Sequence, residues 1–227
     1  MRPSKQDEYR GRELTDQQVV RIYDSWSKWF FIIELLQGRR RKEGVALARV
    51  QPDEKLLEIG VGVGSSFLQF MRLIGTKTIV HGIDVSPEML KKTSNLLVKN
   101  GLTNFDLRNA DARSLPYESD YFDVAFSSYV IDLMPSAGRA KVAAELFRVL
   151  NVGGRVVLVN LSKRKQRQSI YDYLYRISPT LAGGCRPIHL KETLEQVGFV
   201  DVVREYRADL LPVEIITASK PAARPLA

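Results

Sequence analysis

Three glycines at alternate positions follow a short apolar run in Leu56-Leu57-Glu58-Ile59-Gly60-Val61-Gly62-Val63-Gly64. A strand that ends in such a turn and opens a helix sets backbone N–H groups beside a bound ligand. Glycine serves there because a side chain would block the approach of the backbone. A dinucleotide-binding turn places its third glycine three residues after the second. Here Gly64 follows Gly62 by two, Ser65 stands at the dinucleotide position, and the acidic Glu58 lies two residues before Gly60. The next carboxylate, Asp84 in His81-Gly82-Ile83-Asp84-Val85-Ser86, lies about twenty residues past the turn, where an acid accepts hydrogen bonds from ribose hydroxyls. Read alone, Asp84 is equally a loop acid.

Other candidates follow in chain order. Asn109-Ala110-Asp111-Ala112 comes after a weak third strand, and Phe122-Asp123-Val124-Ala125-Phe126-Ser127-Ser128 forms a fourth. Tyr129-Val130-Ile131-Asp132-Leu133-Met134-Pro135 and Arg148-Val149-Leu150-Asn151-Val152-Gly153-Gly154-Arg155 come next. His189, just before a helix, is a candidate general base near neutral pH, and it reads equally as a helix-start or surface histidine. Cys185 is expected to be an incidental buried thiol rather than a nucleophile. Arg186 is a candidate for binding an acidic group.

Five of these segments, all but the run Tyr129 to Pro135, in this order over residues 55–160, resemble class I S-adenosylmethionine-dependent methyltransferases. Tyr23-Asp24, then Gly38-Arg39-Arg40-Arg41, and the run Tyr129 to Pro135 resemble the branch of ubiquinone/menaquinone C-methyltransferases and bacterial phospholipid N-methyltransferases. The quinone enzymes carry a second Tyr-Asp pair seven residues after the first, where this chain has Phe30-Phe31. The resemblance implies S-adenosylmethionine as cofactor and no metal. It implies a cofactor site of Glu58, Gly60, Gly62, Gly64, Asp84, Val85, Asp111, Ala112, Ser127 and Ser128. Tyr23 reads either as a lid residue reaching the methionine end or as core of an amphipathic helix. Tyr129 and Asp132 lie where acceptors approach, and with Tyr23 and His189 they form the catalytic candidates. The implied acceptor is a hydrophobic or lipid-like small molecule, with a quinol ring or a phospholipid amine as leading examples. A soluble secondary metabolite, RNA, and cofactor binding without transfer are the alternatives. Nucleic acid is the weaker partner. Enzymes that methylate exocyclic base amines carry Asp/Asn-Pro-Pro-aromatic after strand four, and Ser127-Ser128-Tyr129-Val130 stands there instead.

The elements that must hold these residues are legible from periodicity. Val19, Ile22, Tyr23, Trp26, Phe30 and Ile33 recur at helical spacing, a helix that Gly38 is expected to end. From Lys55 strands alternate with helices, with closing strands at Phe199–Tyr206 and Val213–Ala218. The pattern predicts a Rossmann-like α/β fold: a mostly parallel seven-stranded sheet, helices on both faces and an antiparallel C-terminal strand. Residues 1–50 read as a helical lid or substrate-access segment and residues 51–227 as the methyltransferase domain.

Composition sets the outer limits. Of the 227 residues 44% are hydrophobic and 26% charged, which places the chain among globular proteins. The net charge of +8 is concentrated in two clusters, Arg39–Arg49 and Lys163–Arg167, each with a surplus of four. Two such clusters suggest an anionic surface or substrate, and a solvated pair of helix ends is the plainer alternative. Aromatic residues beside the first cluster suggest either an interfacial helix on an anionic membrane or a lid over a hydrophobic substrate. One cysteine and two histidines leave no internal disulfide and make a structural zinc site improbable. No apolar run approaches the roughly 20 residues of a membrane span. The expected location is cytoplasmic, with peripheral membrane contact as a further expectation. The oligomeric state is open.

Overall fold

A computed structural model describes residues 30–162, 187–208 and 212–222, with side chains from residue 37 onward. Tyr23, Cys185, Arg186 and the second basic cluster lie outside these residues.

The first described helix, α1 (Phe30–Leu47), runs through Gly38 rather than ending there. A glycine inside a helix costs only about 1 kcal/mol relative to alanine, and packing overrides that. The packing is visible at Gly44, Val45 and Ala48, all buried on the sheet. The arginine run therefore sits on the helix rather than beyond it. Arg39 and Lys42 are exposed, while Arg40 and Arg41 are each only 9% exposed.

After α1 the chain alternates β1 (Leu56–Ile59), α2 (Ser65–Ile74), β2 (Val80–Asp84), α3 (Pro87–Lys99) and β3 (Phe105–Asn109). Then come β4 (Phe122–Ser128), a 3-10 turn (Ile131–Leu133), α4 (Ser136–Val149) and β5 (Leu150–Leu161). The last described elements are α5 (Lys191–Val197), β6 (Val200–Arg207) and β7 (Val213–Ser219). Ser86 caps α3 by accepting from Met89 N, with Pro87 at the first helical position, as the sequence predicts. β5 starts at Leu150, before the Gly153-Gly154 pair, so that pair lies within the strand rather than in a turn ahead of it.

The seven strands form one sheet in the order β3-β2-β1-β4-β5-β7-β6. All neighbours are parallel except β7, which is antiparallel to both β5 and β6. The winding reverses between β1 and β4, and ligands of open α/β sheets bind outside the carboxyl ends of strands at such a switch point.

Side-chain alternation divides the core into two layers. Leu57, Ile59, Ile83, Leu158 and Ile216 face Val142 and Leu146 of α4 and Leu194 of α5. Leu56, Phe126, Val157 and Val159 face Phe67, Phe70 and Met71 of α2 with Val45 and Ala48 at the end of α1. Arg155 locks α1 to the sheet: its guanidinium donates to Ala48 O at 2.7 Å and to Glu54 Oε1 at 2.7 Å. Arg207 of β6 donates to Glu43 Oε1 at 2.7 Å. Residues 37–48 are thus fixed to the sheet, although they belong to the segment expected as a lid.

A Cβ on Gly44 would stand 2.5 Å from Val159 Cγ2 and 3.3 Å from Phe126 Cε2. Helix propensity alone favours Gly44→Ala by about 1 kcal/mol, whereas overpacking costs about 1–3 kcal/mol. Packing should win, so Gly44→Ala should lower the urea midpoint of unfolding. An unchanged or raised midpoint would contradict this placement of α1.

Candidate active site

The turn after β1 is held from two sides. Gly60, Gly62 and Gly64 have φ of 70°, 54° and 84°, the left-handed region that favours glycine. Asp84, at the end of β2, accepts from Gly62 N at 2.9 Å through one carboxylate oxygen and from Ser86 N at 2.9 Å through the other. Thr93 of α3, fully buried, donates from Oγ1 to Gly62 O at 2.8 Å. The loop is therefore a rigid cradle.

Two of its glycines serve different purposes. A Cβ on Gly60 would meet Val130 Cγ2 at 2.2 Å, so the fold itself requires glycine there. A Cβ on Gly62 would meet nothing within 4 Å. The open side of the cradle is at Gly62.

Beside it stands Glu58, fully buried in β1. Its Oε1 accepts from Ser66 Oγ at 2.5 Å, while its buried Oε2 has no hydrogen-bond partner. Burial pushes its pKa up to about 8, with the Asp84 charge adding to the rise. The Ser66 hydrogen bond and the Arg41 charge oppose that rise. Arg41 lies against the Tyr129 ring, 5.9 Å from its centroid, and donates to Gln37 Oε1 at 3.4 Å.

Tyr129 follows β4 directly across the switch point. Its φ of 57° is an outlier for an aromatic residue, a conformation costing on the order of 1–3 kcal/mol and found mostly at functional sites. Its backbone N–H donates to Val159 O at 2.7 Å, which holds the strained residue in place.

The remaining sequence candidates divide. Val85 is 49% exposed beside Asp84, an apolar surface next to the ribose candidate. Asp111 is engaged by Arg113, whose Nε donates at 2.9 Å, and that hydrogen bond holds the Asp111 carboxyl below its usual range. Ala112 is buried. Ser127 is also buried, and its hydroxyl donates to Ile59 O at 3.2 Å, tying β4 to β1. Ser128 is buried at the end of β4. Asp132 is fully buried: its Oδ2 accepts from Leu161 N at 2.8 Å, taking up the ladder where β4 turns away. Burial raises the Asp132 pKa to about 7. His189 lies between Ile188, whose N–H donates to Leu161 O at 2.9 Å, and the buried Leu190. Glu58, the glycines, Asp84, Val85 and Tyr129 come together, whereas Asp132 is bonded to Leu161 at the end of β5 and His189 follows Ile188, which is bonded to the same residue. Arg41 and Thr93 were missed by sequence reasoning. Thr93 carries no motif, and Arg41 is marked only by the arginine run.

The donor set fits a cofactor with an amine, a ribose and a flat apolar ring. Glu58 Oε2 is an unpartnered acceptor for the amine, Asp84 has acceptor capacity left for ribose hydroxyls, and Val85 offers the apolar surface. Among the described residues no group of three or more His, Cys, Asp or Glu could hold a metal ion.

Comparison with known proteins agrees with this chemistry. A methyltransferase-domain family model matches residues 56–154. The chain is 32% identical over 143 residues to a phosphatidylethanolamine N-methyltransferase of Cereibacter sphaeroides, spanning 63% of this chain and 67% of that protein. It is 30% identical over 135 residues to a ubiquinone/menaquinone biosynthesis C-methyltransferase of Vibrio parahaemolyticus, spanning 58% of this chain but only 51% of that one. Among solved structures the cyclase SpnF superposes with a TM-score of 0.77 at 19% identity, over 93% of this chain and 98% of that one. A Haemonchus contortus N-methyltransferase, solved with phosphomonomethylethanolamine and S-adenosylhomocysteine, gives 0.63 at 18% identity, over 79% and 52%. Fold and site together define a Rossmann-like methyl-transfer centre. The chain belongs to the S-adenosylmethionine-dependent methyltransferases. When bound, that cofactor supplies the electrophilic methyl group, and the protein supplies binding and orientation.

Two outcomes follow from this geometry. Gly62→Val should weaken S-adenosylhomocysteine binding at least tenfold by calorimetry, because the side chain enters the open face of the cradle. Unchanged affinity would refute the cradle. Glu58 has a folded pKa of about 8 against an ordinary 4.5, so it contributes stability fully present below pH 4.5 and lost as pH rises through 8. The unfolding free energy of the wild type, measured relative to Glu58→Gln, should therefore fall between pH 5 and 9. A difference that does not vary with pH would show that Glu58 is not held protonated.

Proposed function

We propose that this methyltransferase transfers the methyl group to a hydrophobic or lipid-like small molecule, with a phospholipid amine or a quinol ring as the leading acceptors. The observation that carries the reading is the pair of relatives. One is named for phosphatidylethanolamine and the other for ubiquinone and menaquinone, and both names describe lipid-like acceptors. In-line displacement at a sulfonium gains most from alignment, which rigid residues provide. Glu58 and Asp84 fix the cofactor, and the strained Tyr129 fixes the wall past which the acceptor approaches. Arg41 supports both by setting its charge between Glu58 and the Tyr129 ring. Asp132 serves as a positioning group at the end of β5. Tyr23 and the lid role of the N-terminal segment remain part of the proposal, as does His189 as a proton acceptor.

Contact with an anionic membrane is a second element of the proposal. Of the run Arg39 to Lys42, only Arg39 and Lys42 are exposed, so that run offers two charges rather than four. Each contributes about 1 kcal/mol near an anionic surface. No described helix is long and apolar enough to cross a membrane.

The test is methyl transfer from labelled cofactor to a whole-membrane lipid extract, followed by product analysis. Label in phospholipid or quinone supports the reading. Label confined to water-soluble products, or none in the lipid fraction despite tight S-adenosylhomocysteine binding, would overturn it. Sedimentation with anionic vesicles should weaken with salt and with Arg39→Ala/Lys42→Ala, and a wild type that stays in the supernatant removes the membrane element.

A further inference from the structure

Arg41 brings a charge that no change of protonation can remove into a buried position beside the crevice. Its place follows from how α1 lies on the sheet. Arg155 of β5 donates to Ala48 O at 2.7 Å, and four residues further along β5 the side chain of Val159 fills the space at Gly44. Glu43 is held by Arg207, which pairs with Val213, and Val213 stands opposite Leu161, the last residue of β5. Traced back from Ala48, the helix therefore climbs to the carboxyl ends of the strands. Arg41 lies one turn before Gly44, on the same face, and so reaches the level of the crevice. There its guanidinium lies over the Tyr129 ring, 5.9 Å from the centroid. Val130, the next residue, packs on the glycine turn so closely that a Cβ on Gly60 would stand 2.2 Å from its Cγ2. Arg41, the Tyr129-Val130 wall and the turn after β1 are thus successive neighbours.

Glu58 lies in β1 just before that turn. It feels Arg41 as a charge, yet accepts its hydrogen bond from Ser66 rather than from the guanidinium. A carboxyl and a guanidinium this near attract strongly in a low-dielectric interior, and they meet unless something holds them apart. Both are held. Ser66 fixes Oε1 of Glu58, while the seat of Gly44 on β4 and β5 fixes α1, and with it Arg41. What fits between them is a group with both charges on neighbouring atoms, in the reverse order. The amino-acid end of S-adenosylmethionine is such a group, with its ammonium and its carboxylate on one carbon. Glu58 Oε2 answers only the ammonium. A guanidinium presents paired N–H donors that match a carboxylate, and its five donors suffice for protein neighbours and a ligand together. Arg40 is committed elsewhere: it donates to Glu43 Oε2 at 2.5 Å, within the clasp that Arg207 completes.

We propose that Arg41 binds the carboxylate of the cofactor's amino-acid end, opposite Glu58 on the ammonium, so that the two side chains together select an intact α-amino acid. Arg41 acts by recognition alone, and this role holds whatever the acceptor is.

The experiment titrates the full chain by calorimetry at pH 7 with two probes. One is S-adenosylhomocysteine and the other its decarboxylated analogue, in which hydrogen replaces the carboxylate and the amine remains. The wild type should bind S-adenosylhomocysteine at least about tenfold more tightly, the low end for hydrogen bonds between charged groups. Arg41→Gln should shrink that preference to within about threefold, by losing affinity for S-adenosylhomocysteine and much less for the analogue. A residue that only supports the fold, or only tunes Glu58, would weaken both probes alike, and that result overturns the proposal. Arg40→Gln removes a neighbouring charge from the same helix and should keep the wild-type preference. If it abolishes the preference as Arg41→Gln does, the arginine run acts as a general field and the assignment to Arg41 fails. Arg41→Lys keeps the charge without the paired donors and decides the matter where Arg41→Gln does not fold. Its preference should fall at least about threefold, and an undiminished preference overturns the proposal. Equal binding of the two probes by the wild type does so without any variant.

Discussion

A carboxyl group buried at the carboxyl end of β1, with one oxygen left without a partner, is the constraint around which this structure is organised. Isolating a carboxylate in the interior is so unfavourable that the group holds its proton or finds a cation. Ser66 on the first turn of α2 holds Oε1 of Glu58 and thereby fixes where the helix begins. Asp84 and Thr93 pin the intervening loop from β2 and α3. Arg41 brings a positive charge from α1 without reaching ion-pair contact. Four separate elements, α1, α2, β2 and α3, thus surround Glu58 and the loop beside it, and leave Oε2 without a hydrogen-bond partner.

The sheet order makes this convergence possible. Because winding reverses between β1 and β4, the turn carrying Glu58 and the turn carrying Tyr129 open into the same crevice. Tyr129 is held there in a left-handed conformation by the Val159 carbonyl, and Ser127 locks β4 to β1 one step below. The antiparallel β7 then brings Glu214 opposite Asn160. β4 and the second half of β5, whose residues are almost all buried, join that pair to the turn at Tyr129.

The turn after β1 was legible in the sequence because its determinants are local. The glycine spacing, the acid two residues ahead and the acid ending the next strand are short-range patterns, and the structure brings all three to one turn. The alternating strands and helices were legible for the same reason. The helix containing the arginine run was not. Gly38 looks like a stop, and only the packing of Gly44, Val45 and Ala48 on β4 and β5 carries the helix past it and turns Arg40 and Arg41 inward. The pairing of Asn160 with Glu214 was illegible too. The two meet through strand pairing between residues far apart in the chain, which no local pattern encodes. Asp132 was found for its position after β4, whereas its bond to Leu161 N, made between residues distant in the chain, was not legible.

The central claim is that Glu58 is protonated in the free protein and gives up its proton when the cofactor's ammonium group arrives. Calorimetric titration of S-adenosylhomocysteine at pH 7, in buffers of different ionisation enthalpy, measures this directly. The observed enthalpy should vary with the buffer and report release of close to one proton by the wild type, with that dependence lost in Glu58→Gln. Tight binding with no buffer dependence in the wild type would contradict the claim.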